Sequence, residues 1–439
     1  MAISRVIGIW GDMIVGCRIA VFGLGYVGLP LIRACISAGH AVVGFDTNPA
    51  VVSGLNSGMS HIGDVSNDEV AQWLEGGFTA TNEDAPLGDC SIFIICVPTP
   101  LTPSGGPDLS AVEAASRTIA RYLSSGALVV LESTTYPGTT EEVVKPILEA
   151  SGLWAGSDFA LAFSPERIDP GNREFTFENT PKVVGGLTEN CAKAATHFYE
   201  GLVDEVVTVK GLKEAEMTKL LENTYRHVNI ALVNELSKIS RLLGIDFGEV
   251  IRAAETKPYG FQAFRPGPGV GGHCIPIDPN YLSHRVRSEL GQPFRFVELA
   301  EEINRSMPHY VVQRVQEMLA NDSVLLSGSS VLILGVTYKN DVADTRESPA
   351  YEVVRILREY GAVVSYHDPH IREWSVDGLQ VPEVFDLRRA TIEATCTVVL
   401  QSHSYYLDNL ELIESTRLLD TRGDVARELS AVNPGWKVL

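Results

Sequence analysis

The run "CRIAVF" is followed by Gly23-Leu24-Gly25-Tyr26-Val27-Gly28, an apolar helical pattern "LPLIRACISAGH", and a second apolar run "AVVGF" that ends at Asp46. Few folds accommodate that order. A strand, a GxGxxG turn, a helix and a second strand closed by an acid open a dinucleotide-binding βαβ unit. Gly23 makes the tight turn, Gly25 lets a pyrophosphate approach the backbone at the helix N-terminus, and Gly28 lets helix pack on sheet. Asp46 stands roughly 20 residues past the glycines, where a carboxylate accepts hydrogen bonds from the adenosine ribose hydroxyls. Thr47 and Asn48 follow it, not an arginine that would partner a 2′-phosphate, so NAD is expected rather than NADP.

The rest of the first half repeats one arrangement. "CSIFIICV" runs into Pro98-Thr99-Pro100, "ALVVLE" into "STTYPGTT", and "DFALAF" into "SPERIDPG". Each reads as a strand buried in a parallel sheet with polar or proline-rich residues at its carboxyl end, the edge where ligands lie in open α/β sheets. Thr99, Thr134 and Glu166 are therefore expected along one crevice, although each alone also fits an ordinary exposed loop residue. Lys213 to Gly244 reads as one long helix capped by Gly244, with Lys219 and Asn223 one turn apart on one face. A lone helical lysine is by default a solvated charge. A second helix is expected at about 296–320, with Pro308 inside it and the potential to supply an oligomer interface.

From Ser329 strand and helix alternate again: "SSVLILGVTY", "DTRESPAYEVVRILREYG", "AVVSYHDP", "CTVVLQSH", "TRLLDTRG". At 439 residues the chain is too long for one ordinary core. The fold expected is α/β, with two doubly wound Rossmann-like domains joined by a long central helical region. The boundaries read as 1–205 for the NAD-binding domain, 206–320 for the central region with the 266–282 loop, and 321–439 for the second, smaller sheet domain. The last lacks GxGxxG, and Lys339, Arg346 and Arg422 follow its strands, where positive charge would hold a phosphate.

A net charge of −20 argues against nucleic acid or an anionic membrane as partner. No segment reaches the roughly 18 uninterrupted apolar residues of a membrane span. The seven cysteines form no CxxC pair and leave one over, which suits a reducing cytoplasm. The opening "MAISRVIGIWGDMIVGC" loosely imitates a lipoprotein signal. Asp12 interrupts its apolar run and Cys17 leads into the first strand, so no processing is expected there.

One cysteine sits in a segment that can be neither helix nor strand, "PGPGVGGHCIPIDPNYL", Pro266 to Leu282. Glycine and proline together read as a rigid loop presenting a side chain, Cys274. The loop alone equally fits a buried structural cysteine. Asp278 followed by Pro279 reads as an N-cap and first helical residue, which places Cys274 near the positive end of a short helix and lowers a thiol pKa. His273 beside it invites a Cys-His pair, but neighbouring loop residues seldom point together. No second ligand pair supports a metal there, and no metal is expected.

The motifs GLGYVGLP, VPTP, ESTTYPGTT, FSPERIDPGN, KLLENTYRHVNIALVNE, PGPGVGGHCIPIDP, YKNDVADTRESPA and the final DTRG together resemble the nucleotide-sugar 6-dehydrogenases, the UDP-glucose and UDP-N-acetylhexosamine enzymes, from about Cys17 onward. The resemblance implies a two-step, four-electron oxidation of a UDP-sugar C6 alcohol to the carboxylate with two NAD, in a homodimer or higher oligomer. It implies that Cys274 is the nucleophile, forming a thiohemiacetal and then a thioester. Lys219 and Asn223 match the pair that stabilises oxyanionic states, Glu166 the acid/base for thioester hydrolysis, Thr134 the water-holding hydroxyl, and Asp278 a group that orients or activates water. By the same resemblance Tyr26, Val27, Val97, Pro98, Thr99, Thr134 and Arg346 contact the cofactor, while Glu166, Arg167, Lys219, Asn223, Gly271, Lys339 and Arg422 contact the substrate. "GGHCIPIDP", with Ile277 where the UDP-glucose enzymes typically carry lysine, and "SPERIDPG" look more like the UDP-N-acetylglucosamine or N-acetylmannosamine branch. A UDP-glucose or other NDP-hexose dehydrogenase remains the alternative, and an inactive nucleotide-sugar binding protein the third reading. Arg265 has no clear match, and the first 16 residues lie outside the resemblance.

Overall fold

The structure, a computed structural model, describes residues 17–102, 106–169, 172, 174–272, 275, 277–429 and 436–439. Cys274, its neighbour His273, the Pro170-Gly171 pair of the SPER motif and the first 16 residues lie outside them. The chain forms two compact units, 1–222 with 280–290, and 223–279 with 291–439.

The first unit is built on eight strands: β1 (Arg18–Phe22), β2 (Ala41–Phe45), β3 (Thr79–Thr81), β4 (Ile92–Ile95), β5 (Leu128–Leu131), β6 (Ala160–Phe163), β7 (Lys182–Gly186) and β8 (Val206–Thr208), in the order β3-β2-β1-β4-β5-β6-β7-β8. Alternate residues of β1 face two separate cores, Ile19 and Val21 one, Ala20 and Phe22 the other, as expected of a strand covered on both faces. Helix α1 (Gly28–Ser37) follows β1, and α2 (Glu189–Glu200) packs against the far strands.

One difference from the sequence reading is the pairing of β6 with β7, which is antiparallel, so that β7 and β8 run against the first six strands. The described residues between 164 and 181 supply no crossover helix, and without one consecutive neighbouring strands pair antiparallel. As a result Lys182, the first residue of β7, lies at the carboxyl end of β6.

The long helix α3 (Leu212–Leu242) passes from the first unit into the second. It ends where Gly244 takes φ +71°, with Ile245 N–H donating back to the Ser240 carbonyl at 2.8 Å. Helix α4 (Asp278–Leu290) starts at Asp278 itself, so Asp278 is the first helical residue and not the N-cap expected from Asp-Pro. Helix α5 (Arg295–Asn321) runs through Pro308.

The second unit carries the parallel sheet of β9 (Ser330–Leu334), β10 (Val363–His367), β13 (Cys396–Val399), β14 (Leu418–Asp420) and β15 (Trp436–Val438), ordered β10-β9-β13-β14-β15, beside a small hairpin, β11 (Ser375–Val376) with β12 (Leu379–Gln380). β9 repeats the alternation of β1, Val331 and Ile333 facing one core, Leu332 and Leu334 the other. The "RESPA" motif is a helix start: Ser348 caps α6 (Pro349–Glu359) by accepting from Ala350 N–H, and Pro349 occupies the first turn, where it loses no hydrogen bond.

Candidate active site

In the first unit the three glycines of the turn divide as their chemistry demands. A Cβ on Gly23 would lie 2.5 Å from the Cys96 carbonyl oxygen, and one on Gly28 only 1.9 Å from that of Gly23. A Cβ on Gly25 meets nothing within 4 Å, so this glycine leaves open space at the start of α1, where a pyrophosphate fits. Tyr26 and Val27 complete the turn and are partly exposed. Asp46, just past β2, accepts from Leu24 N–H at 3.0 Å and Asn48 N–H at 2.9 Å, which fixes its carboxylate beside the turn. Val97, Pro98 and Thr99 follow β4, and the Thr99 hydroxyl donates to the Thr134 carbonyl at 2.8 Å, tying the loops after β4 and β5 together. These groups fit NAD.

Glu166 lies three residues past β6 and is buried. Its Oε1 accepts from Arg167 N–H at 2.6 Å and from Ile168 N–H, and its Oε2 from Lys182 Nζ at 3.2 Å. Lys219, on α3, donates to the Glu166 carbonyl oxygen at 2.5 Å. Arg167 turns away from Glu166, pairing with Glu222 at 2.8 Å and donating to the Pro181 carbonyl at 2.7 Å.

In the second unit Asn223, one turn further along α3, donates through Nδ2 to Asp278 Oδ2 at 2.5 Å, and both side chains are buried. The glycine-rich loop ahead of them is pinned by contacts that the sequence reading did not anticipate. Asn234 accepts from Gly267 N–H at 2.9 Å and donates to Asn304 at 3.0 Å, a buried pair linking α3, α5 and the loop. Gly271 leaves no room for a Cβ, which would sit 2.7 Å from the Glu347 carbonyl oxygen and 2.9 Å from Tyr338 Cβ. Gly272 N–H donates to the Arg346 carbonyl at 3.2 Å. The Arg422 guanidinium lies against Gly267, where a Cβ would meet it at 2.6 Å. So the glycines serve close packing of the loop on the segments after β9 and β14.

Those segments are braced by buried polar groups. Asp420 accepts from Arg422 N–H and Ala426 N–H, both at 2.9 Å, which shapes the DTRG turn. Arg346 grips Asp344, Nη2 to Oδ2 at 2.6 Å. Thr337 Oγ1 donates to the Lys339 carbonyl at 2.8 Å, and His403 accepts from Asp341 N–H at 2.9 Å through Nδ1 while its Nε2 faces Asp368 at 3.2 Å. Burial pushes the Asp368 carboxyl up, but His403 and the Val336 and His370 N–H groups outweigh it and hold it below the usual carboxylate range. Asp341, His370 and His403 approach one another closely enough to suggest a cation site. Both nitrogens of His403 are already in hydrogen bonds, so the trio reads as a brace for the loop bearing Lys339.

Comparison with known proteins follows the same three parts. Models of the UDP-glucose/GDP-mannose dehydrogenase family match as its NAD binding domain over residues 17–203, its central domain over 213–306 and its UDP binding domain over 332–426. The chain belongs to this family. Among its relatives are a UDP-N-acetyl-D-mannosamine dehydrogenase of Pyrococcus horikoshii, 38% identical over 81% of this chain and 84% of that one, and a UDP-N-acetyl-D-glucosamine 6-dehydrogenase of Pseudomonas aeruginosa, 38% identical over 81% and 83%. The solved structure of the UDP-D-ManNAc dehydrogenase from Pyrococcus horikoshii superposes with a TM-score of 0.86 at 34% identity, over 96% of this chain and 98% of that one. A UDP-glucose dehydrogenase from Pyrobaculum islandicum gives 0.85 at 29%, over 96% and 97%. In this family member the cofactor is NAD. No helix among the described residues is long and apolar enough to cross a membrane.

Sequence reasoning missed Lys182, Glu132, Tyr199, Asn234 and Tyr338. Glu132 left a trace as the acid that opens "ESTTYPGTT" after five apolar residues, and Asn234 and Tyr338 fall within "KLLENTYRHVNIALVNE" and "YKNDVADTRESPA" with no role assigned to them. A lysine opening an apolar run reads as a solvated strand end, and nothing in the sequence reveals that β7 turns it inward.

Proposed function

We propose that this chain is a UDP-N-acetylhexosamine 6-dehydrogenase, oxidising the sugar C6 alcohol to the uronate in two steps through Cys274. The observation that carries the mechanism is the pairing of each α3 residue within its own unit: Lys219 with the Glu166 backbone, Asn223 with Asp278. Both supply N–H donors for an oxyanion, since each retains further N–H groups beyond the bond described. NAD, when bound, takes up the electrons removed from C6 in each oxidation.

The Cys274 thiolate adds to the C6 aldehyde, forming the carbon–sulfur bond as the carbonyl electron pair moves to oxygen. Lys219 and Asn223 stabilise that negative charge. After the second oxidation the sulfur is held as a thioester. Water then attacks, Glu166 takes one of its protons, and the carbon–sulfur bond breaks to release the thiolate and the carboxylic acid, which gives its remaining proton to solvent to become the carboxylate. Thr134 holds the water, and Asp278, fixed by Asn223, orients it. Gly23, Gly25, Tyr26, Val27, Gly28, Asp46, Val97, Pro98, Thr99 and Arg346 hold the cofactor, while Arg167, Gly271, Lys339 and Arg422 bind the nucleotide sugar.

The relatives named for N-acetylhexosamine support this sugar over glucose. The test is the number of NADH formed per sugar consumed on UDP-N-acetylglucosamine, UDP-N-acetylmannosamine, UDP-N-acetylgalactosamine and UDP-glucose. Two per sugar on an N-acetylhexosamine is expected, and turnover of UDP-glucose alone overturns the sugar assignment.

The chain is further proposed to form a homodimer through α3. Tyr225, Leu232, Leu236 and Ile239 make an exposed apolar stripe at helical spacing on α3. Leu236→Glu with Ile239→Glu is expected to shift the sedimentation coefficient from dimer to monomer, and an unchanged coefficient refutes the interface. Cys35, Cys90, Cys96, Cys191 and Cys396 are free thiols, which suits a reducing cytoplasm.

A further inference from the structure

Behind Glu166 lies a buried charge cluster that none of the steps above uses. Lys182 Nζ bridges two carboxylates, 2.9 Å from Glu132 Oε2 and 3.2 Å from Glu166 Oε2, and its side chain is 4% exposed. Tyr199, on α2, donates its hydroxyl to the other oxygen of Glu132. The rings of Phe177 and Tyr199 stand about the ammonium at 5.1 and 5.2 Å. Desolvation favours the neutral amine, but the two carboxylates outweigh it and hold Lys182 strongly protonated. Burial pushes the Tyr199 hydroxyl and the Cys96 thiol up, so both stay neutral. Burial pushes the Glu132 carboxyl up, and Lys182 beside it works against that; when both glutamates are ionised the cluster carries one net negative charge.

We propose that Lys182 and Glu132 are positioning residues for Glu166, holding its carboxylate in place and setting the charge against which it takes up a proton. This rests on the role of Glu166 in thioester hydrolysis. When Glu166 accepts the proton of the attacking water, the cluster passes from one net negative charge to neutrality, and no further ion has to move. Lys182 opposes that uptake and Glu132 favours it. Among the described residues, the other charged groups near Glu166 include Lys219, bonded to its carbonyl oxygen, and the Arg167–Glu222 pair. Neither charged side chain bonds to the carboxylate oxygens, which Arg167 meets only through its backbone N–H.

The two partners therefore act in opposite directions. The readout is the rate of thioester hydrolysis against pH, measured in single turnover with NAD and UDP-sugar by acid quench and mass spectrometry of the intact chain. Glu132→Gln, which keeps the shape and the hydrogen-bond acceptor, is expected to move the acid limb down by about one pH unit. Lys182→Met is expected to move it up by about as much, and Lys182→Arg to restore the wild-type limb. Because Lys182→Met leaves two buried carboxylates without a cation and endangers the fold, Glu132→Gln is decisive by itself. A merely structural role would lower the rate without displacing the limb, and that result, or a shift of both variants in one direction, overturns the proposal. Glu166→Gln separates the two ideas. It should accumulate the thioester, and hydrolysis at the wild-type rate in that variant overturns the role of Glu166 and the positioning with it.

Discussion

Uronate formation is expected to fall by at least on the order of 10⁴-fold in Cys274→Ala, because no other group of the proposed mechanism can carry the acyl intermediate. Without a sulfur no C6–S bond forms, so the aldehyde has no covalent state from which the second pair of electrons is withdrawn. Lys219 and Asn223 still offer their N–H donors, and the nucleotide contacts proposed above rest on other side chains. Binding of the UDP-sugar should therefore stay within about threefold of wild type, a difference below 1 kcal/mol. Isothermal titration with UDP-sugar and mass spectrometry of the product read the two quantities separately. Uronate at the normal rate from this variant would eliminate the covalent route.

Substitution of the turn glycines should separate binding from folding. Gly28→Val forces a side chain into a site where even a Cβ lies 1.9 Å from the Gly23 carbonyl oxygen. The neighbour is backbone in a tight turn and cannot rotate away, so α1 must lift from the sheet, at a cost of about 3 kcal/mol. Gly25→Val meets nothing within 4 Å of its Cβ and should leave the melting temperature within a degree or so of wild type. It fills the space assigned to the pyrophosphate, however, and NAD affinity should drop by at least about tenfold, equivalent to 1.4 kcal/mol. Thermal denaturation without ligand, paired with NAD titration, checks both. If Gly25→Val binds NAD normally, the pyrophosphate does not lie over that turn.

Much of this was legible in the chain. The apolar runs of β1, β4, β5, β6, β9 and β13 are short, bounded by turn residues and free of charge, and strands buried on both faces leave that signal. The GxGxxG turn and Asp46 were legible for the same reason, since their geometry is local. α3 was legible because about thirty residues without Gly or Pro admit little else, and Gly244 marks its end.

Where the first reading failed, the cause is not local. Asp278 reads as an N-cap from its neighbour Pro279, yet it enters the helix with its carboxylate taken by Asn223, 55 residues earlier. The glycines of the 266–272 loop read only as part of a rigid loop presenting Cys274, with no sign of what they pack against. Gly267 and Gly271 admit Arg422, Tyr338 and the Glu347 carbonyl, groups more than 65 residues away in the chain.

The sequence by itself determined the strand-turn-helix order, the dinucleotide turn and the residue types able to do the chemistry, because each depends on side chains and dihedral preferences within a few residues. The tertiary structure alone decided that β7 reverses direction, and with it that Lys182 is buried between Glu132 and Glu166. A charge in a strand is costly to bury unless its partners are in place, and those partners come from segments 16 and 50 residues away. No periodicity or spacing rule reaches that far.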